Sequence, residues 1–352
     1  MIFPTLDTPS VLVDLDIAEA NIRKYQDYCD EHGLKLRPHV KSHKIPSLAK
    51  YQVAQGAIGI TCQKISEAEA MIEEGGIDDV LITYNILGDR KTARLRALSE
   101  RVRVSVVADN AIVATGLSRA FADAAEPLSV LVECNTGADR CGVASPADAA
   151  GLARRIAELP GLRFVGLMTF PPVGGVTSAA DWLSETKSLI EAQGMKVDRV
   201  SSGGSQDMWH AHLATPVTEH RIGTYVYNDR SLVTRGTCTW QDCALTVLAT
   251  VVSVPSETHA IVDAGSKVLT SDLFGLQGHG HVLNRDDLAI DQLSEEHGRI
   301  VSSGPIRLAV GDRVRIVPNH ACVVANMLDN VDCIRGTDII GPVPVAARGQ
   351  VW

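Results

Sequence analysis

Hydrophobic residues occur in short runs along the first two thirds of the chain, and amphipathic stretches separate these runs. The runs are rich in β-branched residues and end at turn residues or charges, as buried parallel strands do. They cover residues 11–15, 34–40, 57–62, 80–84, 102–108, 128–134 and 164–168. Strand–helix alternation over roughly 220 residues predicts a closed (β/α)8 TIM-type barrel, which typically takes about 250 residues. An open doubly wound sheet is the alternative, because the pattern does not show closure.

The pattern changes after about residue 236. The runs at 244–255, 259–265 and 312–328 read as strands without helices between them, whereas 272–300 reads as a loop rich in Gly, His, Asp and Glu. We therefore expect a C-terminal, mainly antiparallel β domain after the barrel. The predicted boundaries are 16–235 for the barrel domain and 236–352, together with 1–15, for the β domain.

Composition narrows the class of partner. The chain has 352 residues and a net charge of -9, which argues against a nucleic-acid or anionic-membrane partner. It contains no run of about 18 apolar residues, and its start lacks the pattern of a signal peptide. The eight cysteines form no CxxC pair, which argues against a zinc ribbon or a thioredoxin-type site, and without a secretory signal we expect reduced thiols in the cytoplasm.

Basic residues cluster where the second hydrophobic run ends. Arg37, His39, Lys41 and Lys44 lie within eight positions. The carboxyl ends of barrel strands face the active site, and a lysine amine near other cations is suited to Schiff-base chemistry. Lys41 is the candidate and Lys44 its competitor. On the local pattern alone, a set of solvated surface lysines remains the alternative.

Two turns that contain glycine could hold a phosphate on bare backbone amides and hydroxyls. The first consists of Ser202, Gly203, Gly204 and Ser205, and the second of Arg221, Gly223, Thr224 and Tyr225. The same compositions also form ordinary tight turns.

An arginine follows the run 128–134, within the segment NTGADRCG. At the end of a barrel strand, Arg140 could hold an oxyanion. An exposed arginine in a loop between a strand and a helix is the alternative.

A histidine and a cysteine two positions apart lie in the last hydrophobic run. Residues i and i+2 of a strand point to the same face, so His320 and Cys322 could reach one ion. Imidazole and thiolate suit zinc, and two protein ligands leave coordination positions for substrate or water.

Taken in order, the segments TPSVLVDLD, LRPHVKSHK, CQKISEAEAM, NTGADRCGV, SSGGSQ, RIGTYVYNDR, DAGSK and PNHAC resemble the D-serine dehydratase and D-threonine aldolase family. These are fold-type III pyridoxal 5'-phosphate (PLP) enzymes built like alanine racemase, and the resemblance runs from Thr8 to about Asn326. It implies that PLP is bound covalently to Lys41, with Lys44 supporting and His39 near the cofactor.

The resemblance also implies roles for the other candidates. Arg140 matches the arginine that contacts the phenolic oxygen of the cofactor. The turns around Gly204 and Gly223 match the two that hold its phosphate. Arg221 stands where alanine racemases place the arginine facing the pyridine nitrogen. Phe170 departs from the pattern, since several relatives have tyrosine there.

The pair His320 and Cys322 bears on the reaction. Aldolase-type members read His-Cys-Asp and use His and Asp, whereas His-x-Cys resembles the zinc-dependent D-serine dehydratase and D-threo-3-hydroxyaspartate dehydratase types. The resemblance therefore implies a PLP- and metal-dependent dehydratase, with Zn²⁺ favoured and Mn²⁺ the alternative, that converts a D-β-hydroxy amino acid into a 2-oxo acid and ammonia. Aldol cleavage of the D-threonine aldolase type is the main alternative, and an amino-acid racemase or a non-catalytic PLP-binding protein fits less well. By analogy with the family, we expect a homodimer.

Overall fold

The computed structural model describes residues 2–352, and Met1 lies outside them. The chain divides into two compact units. The barrel unit comprises Tyr25–Lys41, Pro46–Gly223 and Gln350–Trp352, and the β unit comprises the chain up to Lys24, Ser42–Ile45 and Thr224–Gly349. The domain boundaries given above stay predictions.

An eight-stranded parallel sheet forms the barrel unit, in the order β2-β9-β8-β7-β6-β5-β4-β3. Its strands are β2 (Lys35–Leu36), β3 (Ile60–Cys62), β4 (Asp79–Ile82), β5 (Arg103–Ala108), β6 (Leu128–Cys134), β7 (Leu162–Thr169), β8 (Arg199–Gly203) and β9 (Glu219–Arg221). β8 and β9 have no counterpart among the predicted hydrophobic runs. Both strands are short, and Ser, Gly, Glu, His and Arg dominate them, which hides them from a hydrophobicity pattern.

Residues 35–39 close the sheet into a barrel, because they hydrogen-bond on both sides. On one side the His39 N–H donates to the Ile222 carbonyl at 2.7 Å. On the other side the Thr61 N–H donates to the Pro38 carbonyl, also at 2.7 Å, and His39 bridges to Thr61 in parallel. The predicted (β/α)8 barrel is therefore confirmed, and the open doubly wound alternative is wrong.

Ten helices accompany the strands in residues 2–352. They are α1 (Leu15–Glu31), α2 (Pro46–Ala54), α3 (Ile65–Ile72), α4 (Asp89–Ser99), α5 (Ala111–Phe121), α6 (Pro146–Glu158), α7 (Val176–Glu191), α8 (Arg230–Thr234), α9 (Ser266–Leu269) and α10 (Ala321–Val324). Side-chain caps begin several of them: Asn110 caps α5, Ser145 caps α6 and Asp229 caps α8. None of these helices is long and apolar enough to cross a bilayer.

The β unit is a mainly antiparallel sheet, as predicted, in the order β13-β14-β11-β10-β1-β16-β17, with β15 pairing with β10 and β12. Its strands are β1 (Ser10–Asp14), β10 (Leu245–Ser256), β11 (His259–Val262), β12 (His281–Val282), β13 (Leu288–Leu293), β14 (Gly298–Ser302), β15 (Arg313–Val317), β16 (Asn330–Arg335) and β17 (Asp338–Pro344). The interpretation of 272–300 as a loop is wrong in its second half. There β13 alternates buried and exposed side chains and β14 alternates buried and half-buried ones over most of its length, so their polar outer residues mask the strand pattern.

The prediction of one strand over 312–328 is also wrong. β15 ends at Val317, and the one-turn helix α10 begins directly after His320. Asp229 explains the change, because its carboxylate accepts the N–H of Ala321 at 3.0 Å and so binds the first turn of α10. Hydrophobicity alone does not separate a short buried helix from a strand.

Each unit has its own apolar core. In the barrel unit, Leu81, Val107, Leu131, Val165 and Met168 form one buried cluster across strands β4 to β7. In the β unit the corresponding cluster comprises Phe3, Leu12, Leu248 and Ile334, with Leu6 packed against it.

A buried ion pair lies where the barrel closes. Nε of Arg37 donates to Glu219 Oε2 at 3.2 Å, and Nη1 donates to Asp79 Oδ1 at 2.5 Å. The side chains of Arg37 and Glu219 are 3% and 2% exposed. Burial by itself would raise the pKa of Glu219, but Arg37 and Arg199 hold that pKa below its usual value, so the carboxylate stays charged.

Replacing Glu219 by alanine should destabilise the barrel unit by about 3–5 kcal/mol, because it leaves the buried Arg37 without its main partner. The matched control is Glu74→Ala, which removes the 62% exposed carboxylate that pairs with Lys50 at 2.9 Å and should cost no more than about 1 kcal/mol. Thermal unfolding followed by circular dichroism measures both. Equal midpoints for the two variants would contradict the assignment of the buried pair.

Candidate active site

The segment that closes the barrel also carries Lys41. This lysine lies in a single 3-10 turn, Val40–Ser42, and its side chain is exposed. Its backbone N–H lies 3.4 Å from His39 Nδ1, and His39 Nε2 lies 3.1 Å from Gln63 Oε1. The Gln63 amide in turn donates to the Thr83 carbonyl at 2.9 Å. These bonds join the carboxyl ends of three neighbouring strands around the segment that holds Lys41.

Lys44, the competing lysine, has a different environment. It is only 7% exposed, and its backbone has a left-handed φ of 56°. Its carbonyl accepts the N–H of Ala347 at 3.2 Å. Lys41 is therefore the more accessible amine of the two.

The first glycine turn follows β8 directly. Gly204 has φ 126°, a conformation that favours glycine, and its N–H donates to the Arg221 carbonyl at 3.1 Å. A Cβ at Gly203 would lie 2.7 Å from the same carbonyl, so that position also requires glycine. Ser202 and Ser205 flank the two glycines and are buried. The turn offers bare backbone at the carboxyl end of a barrel strand, which fits a phosphate group.

Arg221 is buried and bound to protein groups. Its guanidinium donates to Ser201 Oγ at 2.5 Å and to the Thr169 carbonyl at 2.8 Å. Desolvation lowers its pKa to about 10, which still leaves it charged at neutral pH. The role that the resemblance implies for Arg221 toward a pyridine nitrogen stays a prediction.

Arg140 is exposed in the loop after β6, with its guanidinium 4.9 Å from the centre of the Phe170 ring. Phe170, the departure from the family pattern, therefore stacks on a candidate cofactor residue. Glu133 is buried at the end of the same strand. Desolvation by burial raises the pKa of Glu133 to about 7 against the opposing effects of Arg140 and Arg221.

The two metal candidates lie together in the β unit although the predicted strand is absent. His320 precedes α10 and Cys322 lies in its first turn, and each of the two side chains influences the pKa of the other. Asp272 Oδ2 lies 2.9 Å from His320 Nδ1, and the Phe274 ring stacks on the imidazole at 4.3 Å. The argument from strand geometry was wrong, but the helical turn brings the same two side chains together.

Two hydroxyls surround the thiol of Cys322. Its sulfur lies 3.0 Å from Ser42 Oγ and 3.3 Å from Thr224 Oγ1. Burial alone would raise the pKa of Cys322, but the contacts with His320 and these hydroxyls lower it below its usual value. Burial lowers the pKa of His320 by itself, yet Cys322 and Asp272 raise it to about 9.

This chemistry fits a divalent metal. No group of three or more His, Cys, Asp and Glu side chains that could hold a metal occurs in residues 2–352, and His320 and Cys322 are the two candidate donors. A stabilised thiolate, and an imidazole whose other nitrogen faces a carboxylate, are the donors that zinc proteins use.

The hydroxyl of Thr224, a residue predicted for the phosphate turn, lies beside Cys322, and its role toward a phosphate stays a prediction. Tyr225, beside it, is buried. Sequence reasoning missed Ser42, Asp272 and Phe274. Ser42 directly follows Lys41, which is a signal that could have been used. Asp272 and Phe274 lie in a stretch with no motif.

Two family models match the chain. The model for the alanine racemase N-terminal domain matches residues 13–231, and the model described as "Putative serine dehydratase domain" matches residues 244–334. The D-threonine aldolase of Arthrobacter sp is 32% identical over 98% of this chain and 93% of its own length. The D-threo-3-hydroxyaspartate dehydratase of Delftia sp. (strain HT23) is 30% identical over 90% of this chain and 91% of its own.

Solved structures agree with these matches. The D-threonine aldolase from Filomicrobium marinum superposes with a TM-score of 0.92 at 33% identity, covering 99% of this chain and 97% of its own. Two mutants of D-threo-3-hydroxyaspartate dehydratase have TM-scores of 0.88 and 0.85 at 27% and 26% identity, covering 99% and 97% of this chain and 96% and 98% of theirs. One replaces a histidine by alanine. The other replaces a cysteine two positions further on and is in the metal-free form.

Glu133 gives a pH-dependent prediction. Its pKa in the folded chain, about 7, lies above the usual value of 4.5, so the buried carboxylate destabilises the fold increasingly as the pH rises from 4.5 to 7. Glu133→Gln keeps the neutral shape and should therefore raise the thermal midpoint at pH 8 while leaving it nearly unchanged at pH 5. The exposed Glu126→Gln serves as the control. A gain that is larger at pH 5 than at pH 8 would refute the direction of the shift.

Proposed function

Because the chain belongs to the D-serine dehydratase and D-threonine aldolase family, we propose that it is a PLP- and metal-dependent lyase acting on D-β-hydroxy amino acids. Within that class we propose dehydration and deamination, as in D-serine or D-threo-3-hydroxyaspartate dehydratases, to a 2-oxo acid and ammonia. The observation that carries this choice is Cys322, which stands two positions after His320 and has its sulfur 3.0 Å from Ser42 Oγ and 3.3 Å from Thr224 Oγ1. The histidine and cysteine mutations of the dehydratase have the same spacing as His320 and Cys322, and the structure of its cysteine mutant is described as the metal-free form.

The chain's own groups have distinct tasks in this proposal. Lys41 carries PLP and removes the α-proton of the substrate, and PLP supplies an electron sink for the charge left on the α-carbon. His39 and Gln63 hold the turn that carries Lys41. Ser202 to Ser205 and the turn at Gly223 bind the phosphate, and Arg140 faces the phenolic oxygen. His320 and Cys322 hold a divalent metal, zinc by preference, whose Lewis acidity would act on the β-hydroxyl.

Aldol cleavage to glycine and an aldehyde is the second candidate. The D-threonine aldolases of Arthrobacter and Filomicrobium, at 32% and 33% identity, support it as strongly as the dehydratase supports the first. Both reactions use the cofactor held by Lys41 and a metal at the β-hydroxyl, which would help that hydroxyl leave as water in dehydration and would orient it for deprotonation in aldol cleavage. They differ in which bond of the α-carbon breaks. The homodimer and the cytoplasmic location stay predictions.

The product formed from D-threonine decides between the two reactions. With bound PLP and added Zn²⁺ or Mn²⁺, we expect 2-oxobutyrate and ammonia, detected by chromatography and an ammonia assay. Glycine and acetaldehyde would instead establish the aldolase reaction. They would also show that a cysteine at position 322 does not distinguish dehydratases from aldolases in this family. If the protein binds PLP but shows no turnover, it is a non-catalytic PLP-binding protein.

Lys41→Ala should abolish the absorbance of lysine-linked PLP and lower turnover by about 10²–10⁴-fold, the range for loss of a general base. Lys35→Ala removes an exposed lysine from β2 and should leave the spectrum unchanged. If Lys41→Ala keeps the absorbance and Lys44→Ala loses it, the two lysines have been assigned the wrong way round.

His320→Ala and Cys322→Ala should keep the PLP spectrum but lower turnover by about a hundred-fold or more, since a Lewis acid contributes several kcal/mol to such a reaction. His297→Ala, at an exposed histidine of the β unit, is the control. Turnover is measured by spectrophotometry of the 2-oxo acid. If turnover is unchanged after all metal has been chelated, the proposed role of the metal is wrong.

A further inference from the structure

Asp272 holds two different groups with its two carboxylate oxygens. Oδ2 lies 2.9 Å from Nδ1 of His320, and Oδ1 accepts the backbone N–H of Phe274 at 3.0 Å. An ionised carboxylate only accepts hydrogen bonds, so Nδ1 of His320 must be the donor. One side chain therefore orients the imidazole and builds the turn beside it.

The turn that Asp272 builds places an aromatic ring against the same histidine. Phe274 has a left-handed φ of 49°, which costs energy for a bulky residue and needs support from its surroundings. Its N–H is held by Asp272, and its ring stacks on His320 with 4.3 Å between centroids and 25° between planes. The backbone N–H of Asp272 is itself held at 3.3 Å from the Thr270 hydroxyl. His320 is thus fixed at its edge by a carboxylate and on its face by a ring.

We propose that Asp272 is the positioning residue of the metal pair, fixing His320 as the tautomer that carries its proton on Nδ1 and so leaving the Nε2 lone pair for the metal. This proposal rests on the metal role of His320 and Cys322 proposed above. The carboxylate also increases the basicity of the imidazole as a ligand. Phe274 restricts rotation of the ring.

The two contacts explain why aspartate is needed at this position. The Phe274 N–H and His320 Nδ1 meet different oxygens of Asp272, and the single acceptor oxygen of an asparagine can occupy only one of these two positions. If its oxygen keeps the turn, its NH₂ group faces Nδ1 and favours the opposite tautomer, with the proton on the metal-facing nitrogen. Asp272→Asn therefore keeps the size of the side chain but no longer holds His320 in the orientation and tautomer proposed for metal binding.

Metal affinity tests the proposal directly. The PLP-loaded protein is stripped of metal with a chelator, which is then removed, and titrated with Zn²⁺ or Mn²⁺ by isothermal calorimetry. Asp272→Asn and Asp272→Ala should weaken binding about 10–100-fold, the usual cost of losing such a partner. Cys322→Ala defines the background from other sites. Asp286→Ala is the matched control: it removes a 91% exposed carboxylate that lies 3.6 Å from His281 and should leave the affinity unchanged.

The outcomes separate the two proposals. Wild-type protein that binds no metal above the Cys322→Ala background overturns the metal role itself, and this inference with it. Wild-type binding that Asp272→Asn and Asp272→Ala leave intact keeps the metal role and overturns the inference alone. A lower thermal midpoint in these variants with unchanged metal affinity also overturns it, because Asp272 would then only stabilise the turn.

Discussion

Closure of the barrel by residues 35–39 is the constraint on which the candidate site depends. This segment hydrogen-bonds to β9 on one side and to the residues of β3 on the other, and Arg37 anchors it through a buried ion pair with Glu219. Two buried charges are tolerated here because each satisfies the other, so the closing strand has one register in which Arg37 meets its partners. That register determines where the chain turns at residues 40–42, and therefore where His39 and Lys41 emerge.

The surroundings of the Cys322 thiol are assembled from residues that lie far apart in the chain. Its hydroxyl neighbours, Ser42 and Thr224, are 280 and 98 residues away in the chain, and its imidazole neighbour is two residues away. Burial raises the energy of a thiolate, yet these three donors reverse the balance. The thiolate of Cys322 is thereby stabilised by groups from three separate segments of the chain.

Dehydration and aldol cleavage share nearly all of these parts, which explains why relatives of similar identity carry both names. Each reaction needs an amine for the cofactor and a group that acts on the β-hydroxyl, as an acid in dehydration and by promoting its deprotonation in aldol cleavage. The choice depends on how the bonds of the substrate's α-carbon are oriented toward the cofactor. Under the proposed function, the groups that hold His320, such as Asp272 and Phe274, would therefore influence metal binding together with His320 and Cys322.

The sequence by itself determined the barrel, the β sheet and the candidates Lys41, His320 and Cys322, because buried strands have a local hydrophobic signature and the motifs resemble a known family. It also predicted a strand through His320, which is wrong, because the N–H of Ala321 binds the distant Asp229 and starts a helix there. Strands β8 and β9 were not predicted, since they contain polar residues that become buried and paired only in the folded barrel. Tertiary structure alone decided which side chains face one another: Ser42 and Thr224 at Cys322, and Asp272 at His320. Such contacts join residues far apart in the chain, and no local pattern of hydrophobic and polar residues encodes them.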